Sequence, residues 1–269
     1  MSGSILLFIP SYNCEKQIVR VLRQLDDATR RHFAEIIVVN NRSTDGTEAA
    51  ALSEIKRIGD ARIKLLRNRE NYGLGGSHKV AFDYAVERAH DFVAVLHGDD
   101  QGDSRDLVSC IERGAHVDVD CLLGARFHPE SSLVGYSIIR KVGNRVFNTL
   151  FSLVARRRLY DLGAGLNLYR TGVLADGFYK GFSDDLTFNY RMILAHCHYG
   201  HRIKFFPIEW REDDQISNVK LFRQAFRSLA LLVRYAVSPA HFVKSDHRAI
   251  EHNAYRWDEI TPVGAETAA

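Results

Sequence analysis

The chain has 269 residues, a formal net charge of +3 and the mixed apolar and charged composition of a globular protein. This length allows one large domain or two small ones, and the charge is too small to indicate a nucleic-acid-binding protein. No apolar run approaches the ~20 residues of a membrane-spanning helix. The four cysteines form no C-x-x-C pair and there is no signal peptide, so we expect a cytoplasmic protein with reduced thiols.

Apolar runs alternate with helical patterns through the first hundred residues. Strands are predicted at residues 4–9, 35–39, 63–66 and 92–96. Helical patterns lie between them, and the second begins near Asp45, whose spacing to Glu48 fits a capping box. The third is predicted from about Ser77 to Ala89, after a loop over 68–76 that is rich in glycine and asparagine. This alternation predicts an α/β fold with a mostly parallel, Rossmann-like sheet flanked by helices.

The second half of the chain has a less regular pattern. The predicted segments are a short helix over 105–114, a strand over 121–124, a glycine-rich sheet-edge crossing over 162–169, a helix starting at 181–185 and a strand over 202–208. From about residue 240 the chain is polar, and we expect a partly disordered tail.

Two segments predict basic amphipathic helices towards the C-terminal side. In the first, apolar residues recur every four positions from Ile138 to Val154, among and before several arginines. In the second, apolar residues from Val219 to Val233 follow helical spacing beside four basic residues. Such helices can lie in a membrane interface, or they can pack on a core with a solvated basic rim. The pattern alone leaves both interpretations open.

Polar loops follow three of the predicted parallel strands. They read YNCE after the first strand, NNRSTDG after the second and HGDDQ after the fourth. Because the carboxyl ends of parallel strands meet at one sheet edge, these loops predict a nucleotide site. No G-x-G-x-x-G follows the first strand and no Walker phosphate loop is present, which excludes the two commonest nucleotide-binding patterns.

The loop after the fourth strand carries potential metal ligands. His97, Asp99 and Gln101 alternate, so their side chains can face one side of an extended segment. An imidazole, a carboxylate and an amide oxygen could hold a divalent cation that in turn holds phosphates. The same residues also fit a polar turn with a helix cap, and the stretch alone does not decide between the two.

Charged residues at two further places have both a functional and an ordinary interpretation. Arg126 follows a predicted strand, where it suits a pyrophosphate or a carboxylate, or is an exposed cation. Asp184 and Asp185 stand at a predicted helix start, where aspartates commonly serve as caps but can also act in catalysis.

Several motifs in sequence order carry a family resemblance. IPSYNCE resembles I-P-x-Y-N-E, with Cys14 inserted before the acid, and VVNNRSTDGT resembles V-D-D-x-S-x-D-G-T. NRENYGLGG, LHGDDQ, LLGARF, YDLGAGLNLYR and FPIEWREDDQISNVKL resemble later motifs of the same set. Over residues 4–235 the chain thus resembles the family 2 glycosyltransferases, inverting nucleotide-sugar enzymes of the GT-A fold. It looks most like the branch of dolichol-phosphate mannose synthase and bacterial polyprenyl-phosphate glycosyltransferases.

The resemblance implies roles for individual residues. The implied nucleotide-binding positions are Pro10, Tyr12, Asn13, Glu15, Asn40, Asn41, Ser43, Gly73 and Lys79. His97, Asp99 and Gln101 match the metal positions for Mg²⁺ or Mn²⁺, and Asp99 also has a catalytic role. Arg126, Arg211 and Lys220 match residues that contact phosphates of the donor or acceptor, with Arg126 also catalytic. Asp184 and Asp185 match the place where the family often has a general base.

This chain departs from the family pattern at two places. Asn40 and Asn41 replace paired aspartates, which removes charge and adds a hydrogen-bond donor at each position, so the base preference stays open. His97 replaces the first metal aspartate, and an imidazole suits manganese better than magnesium. The metal could instead bind through Asp99 alone, with Asp100 as a second candidate.

The resemblance implies an inverting glycosyltransferase that uses a nucleotide-diphosphate sugar. A polyprenyl phosphate at the inner face of the membrane is the favoured acceptor, with peripheral membrane contact and no nucleic acid partner. Alternatives are transfer to a hydroxyl of a soluble saccharide or protein, a non-catalytic nucleotide-sugar-binding module and, more remotely, a nucleotidyltransferase. The expected layout is a GT-A domain over residues 1–239, divided near 126 into nucleotide-binding and acceptor-binding halves, with C-terminal amphipathic helices and a tail over 240–269. The oligomeric state, a homo-oligomer included, stays open.

Overall fold

The computed structural model describes residues 3–211, 221–250 and 254–260. The strands are β1 Ile5–Ser11, β2 Glu35–Asn40, β3 Ile63–Asn68, β4 Phe92–Leu96, β5 Cys121–Ala125, β6 Ser132–Val134, β7 Leu166–Arg170, β8 Ile203–Pro207, β9 Glu209–Arg211 and β10 Trp257–Ile260. The helices are α1 Glu15–Gln24, α2 Asp27–Arg30, α3 Thr47–Ile58, α4 Gly73–Glu87, α5 Ser104–Glu112, α6 Ile138–Ala155, α7 Phe188–His198, α8 Leu221–Val237 and α9 Pro239–Lys244.

Eight of these strands form one twisted sheet in the order β10-β3-β2-β1-β4-β7-β5-β8. Strands β1 to β4 are mutually parallel, and β5 pairs in parallel with β8. Strand β7 runs antiparallel between β4 and β5, and β10 runs antiparallel along β3. The short strands β6 and β9 form a separate parallel pair. The predicted mostly parallel sheet with flanking helices is confirmed.

Both faces of the sheet are buried, which explains the unbroken apolar runs in its strands. Along β1, Leu6 and Phe8 enter a cluster with residues of α4 and α7, while Leu7 and Ile9 enter a second cluster with α1, α3 and α5. Alternate side chains point to opposite faces of a strand, so each strand contributes to both clusters. The sheet is thereby fixed in register, and its carboxyl-end loops keep fixed relative positions.

Three local predictions were wrong because tertiary contacts decide the geometry. Helix α4 starts at Gly73, inside the predicted loop, where the Gly75 N–H donates to the Asp184 carbonyl oxygen (2.8 Å). Helix α7 starts only at Phe188, after the predicted start at 181–185. Glu48 does not complete a capping box, because its carboxylate pairs with Arg67 and accepts from Asn40.

The segment predicted as a polar tail contributes to the main sheet. Residues 239–244 form α9, and residues 257–260 form β10 on the outer edge of β3. The strand is held there partly by Arg69, which donates twice to Asp258. In the portion of the chain that the structure describes, no helix combines the length and apolarity that crossing a bilayer requires.

Candidate active site

The loops after β1, β2 and β4 meet at the carboxyl edge of the sheet. Ser11 pairs with Asn40 at the ends of β1 and β2, and the Asn41 N–H donates to the Ser11 carbonyl oxygen (2.9 Å). The Gly98 N–H donates to the carbonyl oxygen of Pro10 (3.0 Å), which ties the loop after β4 to β1. The three polar loops that the sequence singled out therefore form one continuous surface.

Side chains join the loops after β1 and β2 directly. The Asn13 N–H donates to Ser43 Oγ (3.1 Å), and Asn13 Oδ1 accepts from the Thr44 N–H (2.8 Å). Asn13 has a φ of 48°, in the left-handed region that asparagine tolerates better than most residues. The Glu15 N–H donates to Asp45 (3.3 Å), and the Tyr12 ring beside this junction is 48% exposed. The exposed ring leaves a surface on which a planar group can stack.

The two asparagines at the end of β2 are buried and have different partners. Asn40 donates to Glu48 (2.6 Å) and accepts from the Ser43 N–H (3.1 Å). Asn41 Oδ1 accepts from the Asn68 side chain and the Tyr72 N–H (both 2.9 Å). Asn41 therefore holds the loop before α4, whereas Asn40 places a carboxylate beside the site.

Glu48 is a site residue that the sequence reasoning missed. Hydrogen bonds from Arg67, followed by the one from Asn40, keep the pKa of this carboxyl below its ordinary value despite partial burial. Asn40 and Asn41 stand where the family pattern has two aspartates. Glu48 thus provides one ionised carboxylate beside these two uncharged positions. The sequence did draw attention to Glu48, but through its capping-box spacing to Asp45. That interpretation assigned the Glu48 carboxylate to the helix backbone and not to the site.

His97 and Asp99 lie together in the loop after β4. His97 Nδ1 is 4.0 Å from Asp99 Oδ2, and both side chains are only slightly exposed. Within the described part of the chain, His97 Nε2 is buried without a hydrogen-bond partner. The ring packs against Gly165, where a Cβ atom would come within 2.6 Å of it. The absence of a side chain at Gly165 therefore fixes the imidazole beside Asp99.

Burial changes the proton affinity of both groups. Burial, followed by the charge of Arg126, lowers the pKa of His97 to about 4, so the imidazole is neutral near pH 7. Burial raises the pKa of Asp99 to about 6, and the nearby Asp100 adds to this rise while Arg126 opposes it. A neutral imidazole and a carboxylate that still ionises near pH 7 are suitable ligands for a divalent cation.

His97 and Asp99 supply only part of the ligand set that a divalent cation needs. Among the described residues, no three His, Cys, Asp or Glu side chains gather in a metal-binding group. Asp100, the second candidate, is paired with Arg20. The Gln101 N–H instead donates to Asp99 (3.3 Å), and its carbonyl oxygen accepts from the Arg211 N–H (3.1 Å). His97 and Asp99 therefore fit a cation that takes its other ligands from phosphate and water.

Arg126 lies next to this pair, held by a buried carboxylate. Its side chain donates two hydrogen bonds to Asp161 (2.8 Å each), and its backbone N–H donates a third (2.8 Å). Burial alone would raise the pKa of Asp161, but the Arg126 guanidinium keeps it below the ordinary value. Arg126 is thus oriented by an acid that the sequence reasoning did not single out, although Asp161 is the second residue of the YDLGAGLNLYR motif.

Two further residues, Arg211 and Lys220, are predicted to contact phosphates, and the structure describes the first of them. Arg211 donates to Glu209 (2.7 and 3.0 Å), while its backbone contact with Gln101 brings β9 to the loop after β4. Lys220 lies outside the described residues.

Lys79 and Asp184 form a second buried pair. Lys79 Nζ donates to Asp184 (2.7 Å), to the Phe182 carbonyl oxygen (2.5 Å) and to the Tyr255 hydroxyl (3.0 Å). Tyr255 itself donates to Asp184 (2.9 Å). Burial lowers the pKa of Lys79. The structure therefore places Lys79 against Asp184, and Tyr255 is a partner that sequence reasoning missed.

The remaining predicted residues of this region serve its backbone. Asp185 accepts from the Thr187 N–H (2.8 Å) and hydroxyl (2.6 Å). At Gly73, whose φ is 69°, a Cβ atom would lie 2.4 Å from the Asp184 carbonyl oxygen. No hydrogen bond or ion pair in the described part of the chain joins Asp184 or Asp185 to His97 or Asp99.

Two curated proteins are similar to this chain. A dodecaprenyl-phosphate galacturonate synthase from Rhizobium johnstonii is 26% identical over 175 residues, which cover 64% of this chain and 49% of the synthase. An undecaprenyl-phosphate mannosyltransferase from Micrococcus luteus is 26% identical over 217 residues, covering 77% of this chain and 84% of that protein. The matched segment thus spans about half of the first relative and most of the second. Both support the polyprenyl-phosphate branch of the resemblance.

The fold has solved counterparts. Glucosyl-3-phosphoglycerate synthase from Mycobacterium tuberculosis, in complex with Mn²⁺, uridine diphosphate and phosphoglyceric acid, superposes with a TM-score of 0.62 at 13% identity. The match covers 88% of this chain and 79% of that one. This similarity identifies the GT-A fold.

The family model named glycosyl transferase family 2 matches residues 6–178. This span includes β1 from its second residue, β2 to β7, and the residues of both the His97–Asp99 site and the Arg126–Asp161 pair. With its GT-A sheet and its carboxyl-edge site, the chain belongs to glycosyl transferase family 2 and is a glycosyltransferase.

Proposed function

We propose that this glycosyltransferase inverts configuration as it moves a sugar from a nucleotide-diphosphate donor to a polyprenyl phosphate at the inner face of the membrane. The meeting of His97 and Asp99 with the loops after β1 and β2 carries the proposal, because it provides adjacent places for a diphosphate and a nucleoside. The two relatives that are named for polyprenyl phosphates support the choice of acceptor.

The nucleoside is assigned to the loops after β1 and β2. The exposed Tyr12 ring offers a stacking face for the base, and Pro10 and Glu15 flank it. Glu48, held by Asn40, offers a carboxylate that can accept from hydroxyl or amide donors. These features suit a nucleoside without fixing which base it carries.

The diphosphate is assigned to the loop after β4. Asp99 and His97, whose Nδ1 faces the Asp99 carboxylate, would hold a divalent cation, Mg²⁺ or Mn²⁺, with the Gln101 side chain as a further ligand. The cation would supply positive charge that stabilises the departing diphosphate. Arg126, fixed in place by Asp161, adds a positive field near the same loop, as the lowered pKa of His97 reflects.

The chemistry is a direct displacement. An acceptor phosphate oxygen forms a bond to the anomeric carbon while the bond from that carbon to the donor diphosphate breaks, so the configuration inverts. A phosphate acceptor is already anionic and needs no general base, whereas a hydroxyl acceptor does. Asp184 is engaged by Lys79 and Tyr255, and Asp185 by Thr187. These contacts favour the phosphate acceptor over a soluble hydroxyl acceptor.

Two helices support contact with a membrane. Helix α6 exposes Ile138 (77%) and Ile139 (79%) together with Val142, Val146 and Leu153, and α8 exposes Phe226, Leu229, Val233 and Val237. Neither helix contains an acidic residue, whereas both contain basic ones. Apolar faces with basic flanks are typical of helices that lie in a bilayer interface. We therefore place the acceptor's lipid chain on the side of the molecule that carries α6 and α8.

The proposal is tested by transfer of radiolabelled sugar from a panel of nucleotide sugars to a polyprenyl phosphate in detergent. We expect label in the organic phase with one donor, a requirement for Mg²⁺ or Mn²⁺, and a loss of at least a hundredfold in Asp99→Ala. Asp27→Ala is the matched control, because Asp27 is an exposed aspartate on α2.

Other outcomes would overturn the proposal. Transfer that survives Asp99→Ala contradicts the assignment of the diphosphate site. Label that enters only water-soluble saccharide or protein, and that depends on Asp184, supports the hydroxyl acceptor instead. Tight nucleotide-sugar binding without turnover of any donor contradicts a catalytic role.

A further inference from the structure

A groove separate from the proposed donor site runs along the C-terminal half of α6. Its volume is about 680 Å³, which lies in the range of small-ligand sites. One wall is α6 itself, with Arg145, Thr149 and Leu153, and the other is the turn from Arg156 to Tyr160. None of the residues that line the groove is assigned above to the donor.

The described residues that line the groove carry positive charge. Arg145, Arg156 and Arg158 line it, and none of them forms an ion pair within the described residues. Arg158 stacks on the Tyr160 ring, with the guanidinium carbon 4.7 Å from the ring centre. Among the residues that the structure describes, no acidic side chain lines the groove. The charge of these exposed guanidiniums is therefore available to an anionic ligand.

The wall opposite α6 is held rigidly. Arg157 donates to the carbonyl oxygens of His201 (2.8 Å) and Ile203 (3.0 Å), which fastens the turn to the start of β8. Ser152 accepts from the Leu159 N–H (2.9 Å), and Asn148 donates to the Tyr160 carbonyl oxygen (2.7 Å). These contacts hold the backbone of the turn against α6, so the groove exists before any ligand binds.

Its position beside an exposed apolar row identifies the class of ligand. On α6, Val142, Val146 and Leu153 are exposed, Arg145 is an exposed cation of the same helix, and Arg156 follows at its C-terminal end. A helix that lies in the interface with this row in the bilayer brings those arginines to the level of the lipid headgroups. Guanidinium groups bind phosphate oxygens in pairs of parallel hydrogen bonds.

We infer that the groove binds the phosphate of an anionic membrane phospholipid and so anchors α6 to the bilayer. This inference rests on the membrane contact proposed above and adds to it a defined headgroup site. The lipid bound there is a component of the bilayer and is distinct from the nucleotide-sugar donor. An acidic bilayer surface complements the two acid-free helices, which is the reason for choosing a lipid as the occupant.

The test is sedimentation of the full chain with sucrose-loaded vesicles of phosphatidylcholine, with and without 30% phosphatidylglycerol, at constant salt. The variant Arg145→Gln/Arg156→Gln/Arg158→Gln should bind the anionic vesicles at least tenfold more weakly than the unchanged protein. The control Arg31→Gln/Lys56→Gln/Arg113→Gln removes the same charge from exposed positions on the donor half and should change binding less than twofold. Thermal melting with a nucleoside diphosphate verifies that each variant keeps its fold and donor site.

Three results would overturn the inference. Equal weakening in both triple variants would mean that net charge, and not the groove, attracts the vesicles. Unchanged binding in the groove variant would exclude the site. Stabilisation of the unchanged protein by inorganic phosphate at millimolar concentration, lost in the groove variant while vesicle binding persists, would make the groove a site for free phosphate.

The failure of this inference and the failure of the proposed function give different results. If the groove variant loses vesicle binding but the unchanged protein transfers no sugar, the headgroup site stands and the transferase proposal falls. If the unchanged protein transfers sugar to polyprenyl phosphate and the groove variant binds vesicles normally, only the headgroup site falls.

Discussion

Arg126 and Asp161 differ in how readily the sequence revealed them. Arg126 follows an apolar strand and stands out as a cation at a sheet edge. Asp161 lies 35 residues further along the chain in a glycine-rich stretch, and only the folded sheet brings its carboxylate to the guanidinium. Sequence patterns identify groups that end a strand, but they do not identify the distant partner that orients them.

The ion pair is expected to be important for stability. Asp161→Asn leaves the Arg126 guanidinium buried without a full counter-charge, so we expect a loss of about 3–5 kcal/mol in the free energy of unfolding. Urea denaturation at pH 7 measures it. The control Asp258→Asn removes the charge of the exposed carboxylate that pairs with Arg69 and should cost far less. A similar small loss in both variants would contradict the view that burial makes the Arg126 pair important.

The two asparagines after β2 show a second limit at the scale of residues. Their replacement of aspartates was visible in the sequence, but its consequence was not. Asn41 is committed to the loop before α4, and Asn40 recruits Glu48. Predicting this required knowing that Glu48 points towards β2 and Arg67, because capping-box spacing alone assigned it elsewhere.

Among the elements, α4 departs most from what its sequence pattern predicted. It starts four residues before the predicted Ser77, because the Asp184 carbonyl oxygen provides an acceptor for its first turn and the absence of side chains at Gly73 and Gly75 lets the two backbones approach. Strand β7 was likewise predicted only as a crossing, since a short apolar run with glycines does not specify the direction of a strand. The long apolar runs of β1, β2 and β4, buried on both faces, were the elements predicted most accurately.

Helix α4 also buries a neutral histidine, which makes stability depend on pH. Burial lowers the pKa of His78 to about 3, and its Nδ1 lies 2.8 Å from the Leu74 carbonyl oxygen. The unfolded chain takes up this proton below about pH 6.5, whereas the folded protein does so only near pH 3. The free energy of unfolding should therefore fall with decreasing pH across this window, by up to about 1.4 kcal/mol per pH unit from this residue.

Urea denaturation between pH 4.5 and 7.5 tests this dependence with paired variants. His78→Asn should flatten the decline, because it removes the group that the folded state keeps neutral. His198→Asn, at an exposed position on α7, should leave the decline unchanged. Parallel curves for the two variants would mean that His78 does not contribute to the loss of stability in acid.

At the scale of the whole molecule, the residues proposed to bind the sugar donor lie at the carboxyl edge of the sheet. The helices α6 and α8 expose apolar side chains. The carboxyl edge of the parallel strands gathers the proposed donor residues, and the family match covers this part of the chain. The sheet edge was predictable because parallel strands end together. The groove beside α6 was not, because it depends on the turn that Arg157 fastens to the start of β8.

The most direct measurement of the central claim is calorimetric titration of uridine, guanosine, cytidine and adenosine diphosphates into the protein, with and without Mn²⁺. We predict that one nucleotide binds preferentially, that Mn²⁺ strengthens its binding at least tenfold, and that Asp99→Asn removes this gain while leaving the fold intact. Binding of equal strength without metal, unchanged in Asp99→Asn, would contradict a cation-bridged diphosphate at the loop after β4.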